Sequence, residues 1–207
     1  MPPGAGVGTG SARPGSFGMI VLAGGRGARL GGRDKPGLVV GGRTLIGAVV
    51  SAGTAAGAGP VIVVGPERAG LDGVSFVSEE PPGAGPVPAL RRGLAEASPA
   101  WVAVLAADLP FLRSAHLGAL LRAAAGHHGA VLADDAGRPQ WLAGCWRTGP
   151  LRRAAAGYQG TSLGGLMGPL APVLVGHAPP PGEPPPWLDC DTPEDLRTAR
   201  AWARSAR

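Results

Sequence analysis

Residues 17–36 read FGMIVLAGGRGARLGGRDKP, and this stretch decides the fold class. The apolar run over residues 17–23 is typical of a buried strand. Five of the next nine residues are glycine, and Lys35, the only lysine of the chain, follows shortly after them. Glycines let backbone N–H groups approach phosphate oxygens because no Cβ stands in the way. The stretch therefore predicts a strand followed by a phosphate-binding loop, with Arg29 and Lys35 as cations for a polyphosphate.

Strand and helix patterns alternate along the rest of the chain, which predicts a mostly parallel sheet with right-handed crossovers. The fold class expected is a three-layer α/β/α, Rossmann-like domain over residues 17–207, after a flexible tail over residues 1–16. Ligands of such sheets bind beyond the carboxyl ends of the strands, where Gly24 and Asp108 stand. The predicted strands are 61–64, 74–77, 101–106, 130–133, 141–146 and 173–175, and the predicted helices are 45–57, 89–97, 114–125, 151–156 and 192–203.

The composition supports two conflicting interpretations, disorder and a folded domain. The chain holds 37 glycines and 23 prolines, a level typical of disorder, but 44% of its residues are apolar, which favours a folded domain. Its net charge of +5 comes from scattered arginines, without the basic stripe of a nucleic-acid-binding protein. Two cysteines 45 positions apart have no metal-ligand spacing, so a reducing cytoplasm is expected. No apolar run is long enough for a membrane span.

Two familiar glycine motifs are not met. No Gly-Lys-Ser/Thr occurs, which excludes the usual P-loop. The dinucleotide fingerprint G-x-G-x-x-G fails because Leu30 stands at its sixth position. A nicotinamide-dependent oxidoreductase is therefore disfavoured.

Four segments resemble one family, the molybdenum cofactor guanylyltransferases of the nucleotidyltransferase superfamily. The first is L-A-G-G-x-x-x-R-x-G-G-x-D-K, from Leu22 to Lys35. The others are G-P-V-P-A-L from Gly85, A-D-L-P from Ala107 and D-T-P-E-D-L from Asp191. Together they extend over nearly the whole chain.

The resemblance implies site residues. Backbone groups of the four residues from Leu22 to Gly25 would hold the base and phosphates. Glu80 stands where relatives place an Asp near the guanine or ribose. Asp108 and Asp191 would bind Mg²⁺, and Arg138 would contact the acceptor. The catalytic residues implied are Arg29, Lys35 and Asp108, and the nucleotide-binding residues are Leu22, Ala23, Gly24, Gly25, Lys35, Glu80 and Asp108.

Simpler interpretations remain for several of these residues. Asp108 can cap the turn that follows it, and Asp191 can be the N-cap of the last helix. Asp34 is expected to orient Lys35 or Arg29, or to form a plain surface ion pair.

The reaction that the resemblance implies is transfer of GMP from GTP to molybdenum-loaded molybdopterin, with release of pyrophosphate and with molybdoenzyme-maturation proteins as further partners. A phosphate nucleophile is anionic near neutral pH, so no Ser–His or Cys–His pair is needed. Two alternatives stay open: the same chemistry with CTP or a sugar phosphate, and a nucleotide-binding accessory protein without turnover.

Overall fold

The computed structural model of the protein describes residues 16–24, 34–177 and 179–205. Its centre is a seven-stranded sheet. The strands are β1 (Phe17–Leu22), β4 (Ala58–Val64), β5 (Val74–Val77), β6 (Trp101–Ala106), β7 (Gly129–Ala133), β8 (Pro139–Arg147) and β9 (Val173–Gly176). Their order across the sheet is β5-β4-β1-β6-β8-β7-β9. Within this sheet β8 is the strand that runs antiparallel to its two neighbours, and the other pairs are parallel.

Helices cover both faces of this sheet because its central strands are apolar on both sides. In β1, Met19 and Val21 point to one face and Ile20 and Leu22 to the other, as the two-residue repeat of a strand requires. The first face packs on α1 (Leu45–Ala55) and α3 (Ser114–Ala123). The second packs on α2 (Pro86–Glu96), α4 (Thr148–Gly157) and α5 (Leu163–Met167). The predicted three-layer α/β/α architecture is thus confirmed.

A smaller apolar cluster holds the last helix, α6 (Pro193–Ser205), against the rest of the domain. Leu196 and Ala199 of α6 pack there with Val40, Leu45 and Cys190. Val40 belongs to a short hairpin formed by β2 (Val39–Val40) and β3 (Arg43–Thr44), which the sequence analysis did not predict. This packing brings the segment before α6 to the carboxyl edge of the sheet.

The remaining differences from the prediction are local. Helix α2 begins at Pro86 rather than at residue 89, because proline fits the first helical turn. Helix α5 was not predicted, since five residues with two glycines give almost no periodic signal. None of the described helices has the length and apolar character needed to cross a bilayer. The predicted tail boundary at residue 16 stays a prediction, because residues 1–15 lie outside the described part.

Candidate active site

A cavity of about 430 Å³ opens at the carboxyl ends of β1 and β6. Its floor continues the sheet beyond the strands: Ala23 donates its N–H to Val64 O (2.9 Å), and Ala107 donates to Leu22 O (3.1 Å). This is the edge at which an α/β sheet binds ligands. The lining residues are Leu22, Ala23, Gly24, Lys35, Pro36, Glu79, Gly83, Gly85, Pro86, Ala89, Ala106, Ala107, Asp108, Leu142 and Asp191.

Lys35 lies at the centre of the charges in this cavity. Its ammonium forms ion pairs with both Asp108 and Asp191, and only 16% of its side chain is exposed. Burial alone would lower the pKa of Lys35, but the charges of Asp108 and Asp191 and their hydrogen bonds outweigh burial and raise it. The ammonium therefore stays protonated and available as a cation for anionic ligands.

Asp108 is fixed by the end of a central strand. Its Oδ2 pairs with Lys35, while Oδ1 is buried without a hydrogen-bond partner among the described residues. It caps no turn in this part of the chain, contrary to its simpler interpretation. A buried carboxylate oxygen with no donor is costly unless a ligand or cation satisfies it.

Asp191, in the segment before α6, contacts the same ammonium. The helix-cap interpretation fails for it because Thr192 takes that role. The Thr192 N–H donates to Asp195 Oδ2 (2.7 Å), and the Asp195 N–H donates to Thr192 Oγ1 (3.2 Å). This reciprocal arrangement is a capping box. The Asp191 carboxylate, which precedes this box, lines the cavity.

A buried glutamate lies in the cavity one position before the predicted one. Glu79 is 6% exposed, lines the cavity and accepts a hydrogen bond from the Gly83 N–H (2.9 Å) through Oε1. Glu80 is exposed and does not belong to the lining that the described residues form. The two acidic side chains are adjacent in sequence, so only the direction of the chain after β5 could distinguish them.

Arg138 does not reach the cavity. It lies in the turn between β7 and β8 with 78% of its side chain exposed, and its N–H donates to Asp134 Oδ1 (2.8 Å). The nearby contribution to the cavity comes instead from Leu142. Leu142 lies within a bulge of β8: Val131 of β7 pairs with Gly144, but the next residue, Leu132, pairs with Gln140. Such a bulge changes the direction of side chains at the rim of a site.

Of the other predicted residues, Leu22, Ala23 and Gly24 line the cavity, and Gly25 and Arg29 lie outside the described residues. Asp34 forms an ion pair with Arg68 (2.6 Å between Asp34 Oδ1 and Arg68 Nη2), a partner that no motif indicated.

The donor set suits a hard divalent cation. Carboxylate oxygens of Asp108 and Asp191 converge on one point, and Asp108 Oδ1 has no donor among the described residues. No cluster of three or more His, Cys, Asp or Glu side chains suited to a metal occurs in the described ranges. Two carboxylates completed by substrate phosphates are the arrangement that Mg²⁺ usually takes.

Comparisons with known proteins identify relatives of this chain. The chain is 39% identical over 127 residues to a probable molybdenum cofactor guanylyltransferase of Opitutus terrae, a match that covers 59% of this chain and 62% of that relative's length. A nucleotidyl transferase from Methanothermobacter superposes with a TM-score of 0.73 at 25% identity, covering 92% of this chain and 99% of that one.

A third similarity concerns the fold alone. The 2-C-methyl-D-erythritol 4-phosphate cytidylyltransferase of Thermus thermophilus has a TM-score of 0.70 at 23% identity and covers 91% of this chain and 99% of its own. A family model described as the MobA-like NTP transferase domain matches residues 19–173. By this match over most of its length, the chain belongs to the MobA-like nucleotidyltransferase family.

Proposed function

We propose that the protein transfers the GMP unit of GTP to a phosphorylated acceptor of the molybdopterin type and releases pyrophosphate. The observation that carries this proposal is the convergence of Lys35, Asp108 and Asp191 in one cavity at the carboxyl edge of the sheet. An acceptor phosphate oxygen attacks the α-phosphorus, and the bond to the pyrophosphate oxygen breaks. No proton has to leave the nucleophile, so positioning and charge stabilisation are sufficient for catalysis.

Each charged residue has a distinct role in this scheme. Lys35 stabilises the charge that grows on the pyrophosphate, and Arg29 is proposed to assist it. Asp108 and Asp191 would hold Mg²⁺, which acts as a Lewis acid and template for phosphate oxygens. Entry of the triphosphate gives the Lys35 ammonium new anionic partners in place of the two carboxylates.

The walls of the cavity differ in charge, and we expect this difference to orient the nucleotide. The phosphates belong beside the Lys35 ammonium. The Glu79 carboxylate lies beside Gly24, since its Oε1 is 3.4 Å from the position that a Cβ on Gly24 would occupy. At the start of α2, Pro86 and Pro88 lack the N–H donors that a helix N-terminus offers to anions. The base is therefore proposed to lie beside Glu79 and the start of α2 rather than beside Lys35.

The Glu79 carboxylate beside the base favours guanine over cytosine. A carboxylate only accepts hydrogen bonds, and the Watson–Crick edge of guanine offers it two adjacent donors, whereas that of cytosine offers one donor group beside an acceptor. One oxygen of Glu79 accepts from Gly83 N–H, and the described residues supply no hydrogen bond to the other. We therefore assign to Glu79 the role predicted for Glu80.

The test measures pyrophosphate release with GTP or CTP, Mg²⁺ and molybdenum-loaded molybdopterin. We expect GTP to be preferred, and Glu79→Gln to reduce that preference by about tenfold, the worth of one bidentate base contact. Glu80→Gln is the matched control and should behave as wild type. Preference for CTP would support a cytidylyltransferase, and GTP binding without product for any acceptor would support an accessory protein.

A further inference from the structure

Arg68, which no motif indicated, makes more polar contacts than an ordinary surface arginine. All three guanidinium nitrogens are engaged: Nη1 donates to Pro66 O (2.8 Å), Nε to Asp34 Oδ2 (3.2 Å) and Nη2 to Asp34 Oδ1 (2.6 Å). Only 13% of its side chain is exposed, against 58% for Asp34. The guanidinium is therefore the fixed partner of this ion pair, and the carboxylate is the one that it restrains.

The loop that carries Arg68 is fixed to the sheet. It leaves β4 through Gly65, whose N–H donates to Val77 O (2.8 Å). Gly65 has φ +150°, and a Cβ there would come within 3.0 Å of the Ala23 backbone at the end of β1. The loop therefore contacts the strand ends closely at the edge that forms the cavity.

Asp34 in turn fixes the position of Lys35. The two residues open a single 3₁₀ turn in which Gly37 N–H donates to Asp34 O (3.1 Å) and Leu38 N–H to Lys35 O (3.1 Å). Pro36 is buried beside them. A shift of the Asp34 side chain thus moves the backbone from which the Lys35 ammonium reaches the cavity.

We propose that Arg68 is a positioning residue: its bidentate ion pair with Asp34 anchors Lys35 to the loop after β4, so that the ammonium meets the nucleotide phosphates. The inference rests on the proposed function for the role of Lys35, but the anchoring itself does not. An arginine suits this task because its planar fork holds both carboxylate oxygens, and a lysine cannot do so.

The sequence supplies a readout of the anchor that is independent of activity. Lys35 is the only lysine among the 207 residues, so amine acetylation reports on one side chain once peptide mapping has separated it from the α-amino group. In the ligand-free protein the ammonium is held between Asp108 and Asp191, which should make acetylation slow. Loosening of its backbone should make acetylation faster.

The experiment compares Arg68→Ala, Arg68→Lys, Asp34→Asn and the double variant Asp34→Asn/Arg68→Ala. Arg68→Ala should lower kcat/KM by about 10-fold to 100-fold, the effect of displacing a catalytic group by roughly 1 Å, and should acetylate several-fold faster. Arg68→Lys should be intermediate, and also provides a milder variant if Arg68→Ala does not fold; peptide mapping then separates its new lysine from Lys35. The double variant should be no worse than the worse single variant, because both changes break one interaction.

The matched control is Arg92→Ala, which removes an ion pair of similar length to Glu96 (2.5 Å) on the surface of α2. It should match wild type in both readouts. The proposal is overturned if Arg68→Ala leaves the acetylation rate of Lys35 unchanged, or if the losses in kcat/KM add up in the double variant. If the wild type turns over no triphosphate, the proposed function fails, and the acetylation rates alone still decide whether Arg68 anchors Lys35.

Discussion

Asp108 and Asp191 meet the same ammonium but are held in different ways. Asp108 follows a central strand, and its side chain is 14% exposed. Asp191 follows a proline-rich segment, and its side chain is 47% exposed. The first carboxylate is built into the sheet, and the second is brought to it by the packing of α6. The difference indicates that Asp108 is the more firmly held carboxylate and Asp191 the more exposed one.

The largest effect is expected for Asp108→Asn. This variant keeps the size of the side chain but removes the charge opposite Lys35, and we expect kcat/KM to fall by at least about 10², as for loss of a preorganised electrostatic group. Steady-state pyrophosphate release measures it. Turnover close to that of wild type would remove Asp108 from the mechanism.

Asp191→Asn should cost less, about tenfold in kcat/KM, because Mg²⁺ is often held by a single carboxylate plus phosphates. Titration with Mg²⁺ in the same assay should show that a higher metal concentration is needed. A loss equal to that of Asp108→Asn would erase the proposed difference between the two carboxylates.

Lys35→Met tests the cation that the two carboxylates share. Without the ammonium, they should bind Mn²⁺ more tightly in the absence of nucleotide, by several-fold, since lysine and metal compete for the same oxygens. Calorimetry on the ligand-free protein measures this, although the same variant should lose at least about 10² in kcat/KM. Weaker Mn²⁺ binding in the variant would contradict the competition.

The smallest effect is expected for His116 of α3, which packs against His177 at the start of the segment that leads to Asp191. His116 Nδ1 accepts the Arg113 N–H (3.0 Å), and the ring lies edge-on against His177 (centroids 4.7 Å apart). Burial, together with the charges of His177 and Arg113 and against that of Glu183, lowers the pKa of His116 to about 4. The folded state thus favours the neutral ring. The contribution of His116 to the free energy of unfolding is therefore fully present above the unfolded pKa of about 6.5.

This contribution is lost as the pH falls from about 6.5 towards 4. We expect wild type to lose on the order of 1 kcal/mol more than His116→Gln over that range, because glutamine keeps an acceptor for the Arg113 N–H but does not titrate. Urea unfolding at several pH values provides the measurement. Parallel pH profiles of the two proteins would exclude His116 as the titrating group.

The sequence predicted the fold better than the site. Apolar runs and caps located β1, β6 and α6, because these signals are local: the Thr192 and Asp195 cap, for example, spans four residues. Site residues that follow a strand end, such as Asp108, could be predicted for the same reason. Their roles remain predictions until the variants are measured.

The features of the site that could not be predicted from the sequence depend on chain direction and on pairing between distant residues. Glu79 and Glu80 are equivalent in composition, and only the path of the chain after β5 buries one of them. Arg68 and Asp34 are 34 positions apart, so no spacing rule connects them. The bulge around Leu142 arises from register between β7 and β8, which a single sequence does not encode in a visible motif.

The antiparallel direction of β8 has an evolutionary consequence. Because β8 runs against its neighbours, it presents its amino end, not its carboxyl end, beside the cavity. The turn over residues 134–138 that precedes it can therefore change in length or charge without altering the pairing of β1, β4, β5 and β6. Remodelling this single hairpin could therefore alter one edge of the domain while the floor of the cavity keeps its strand pairing.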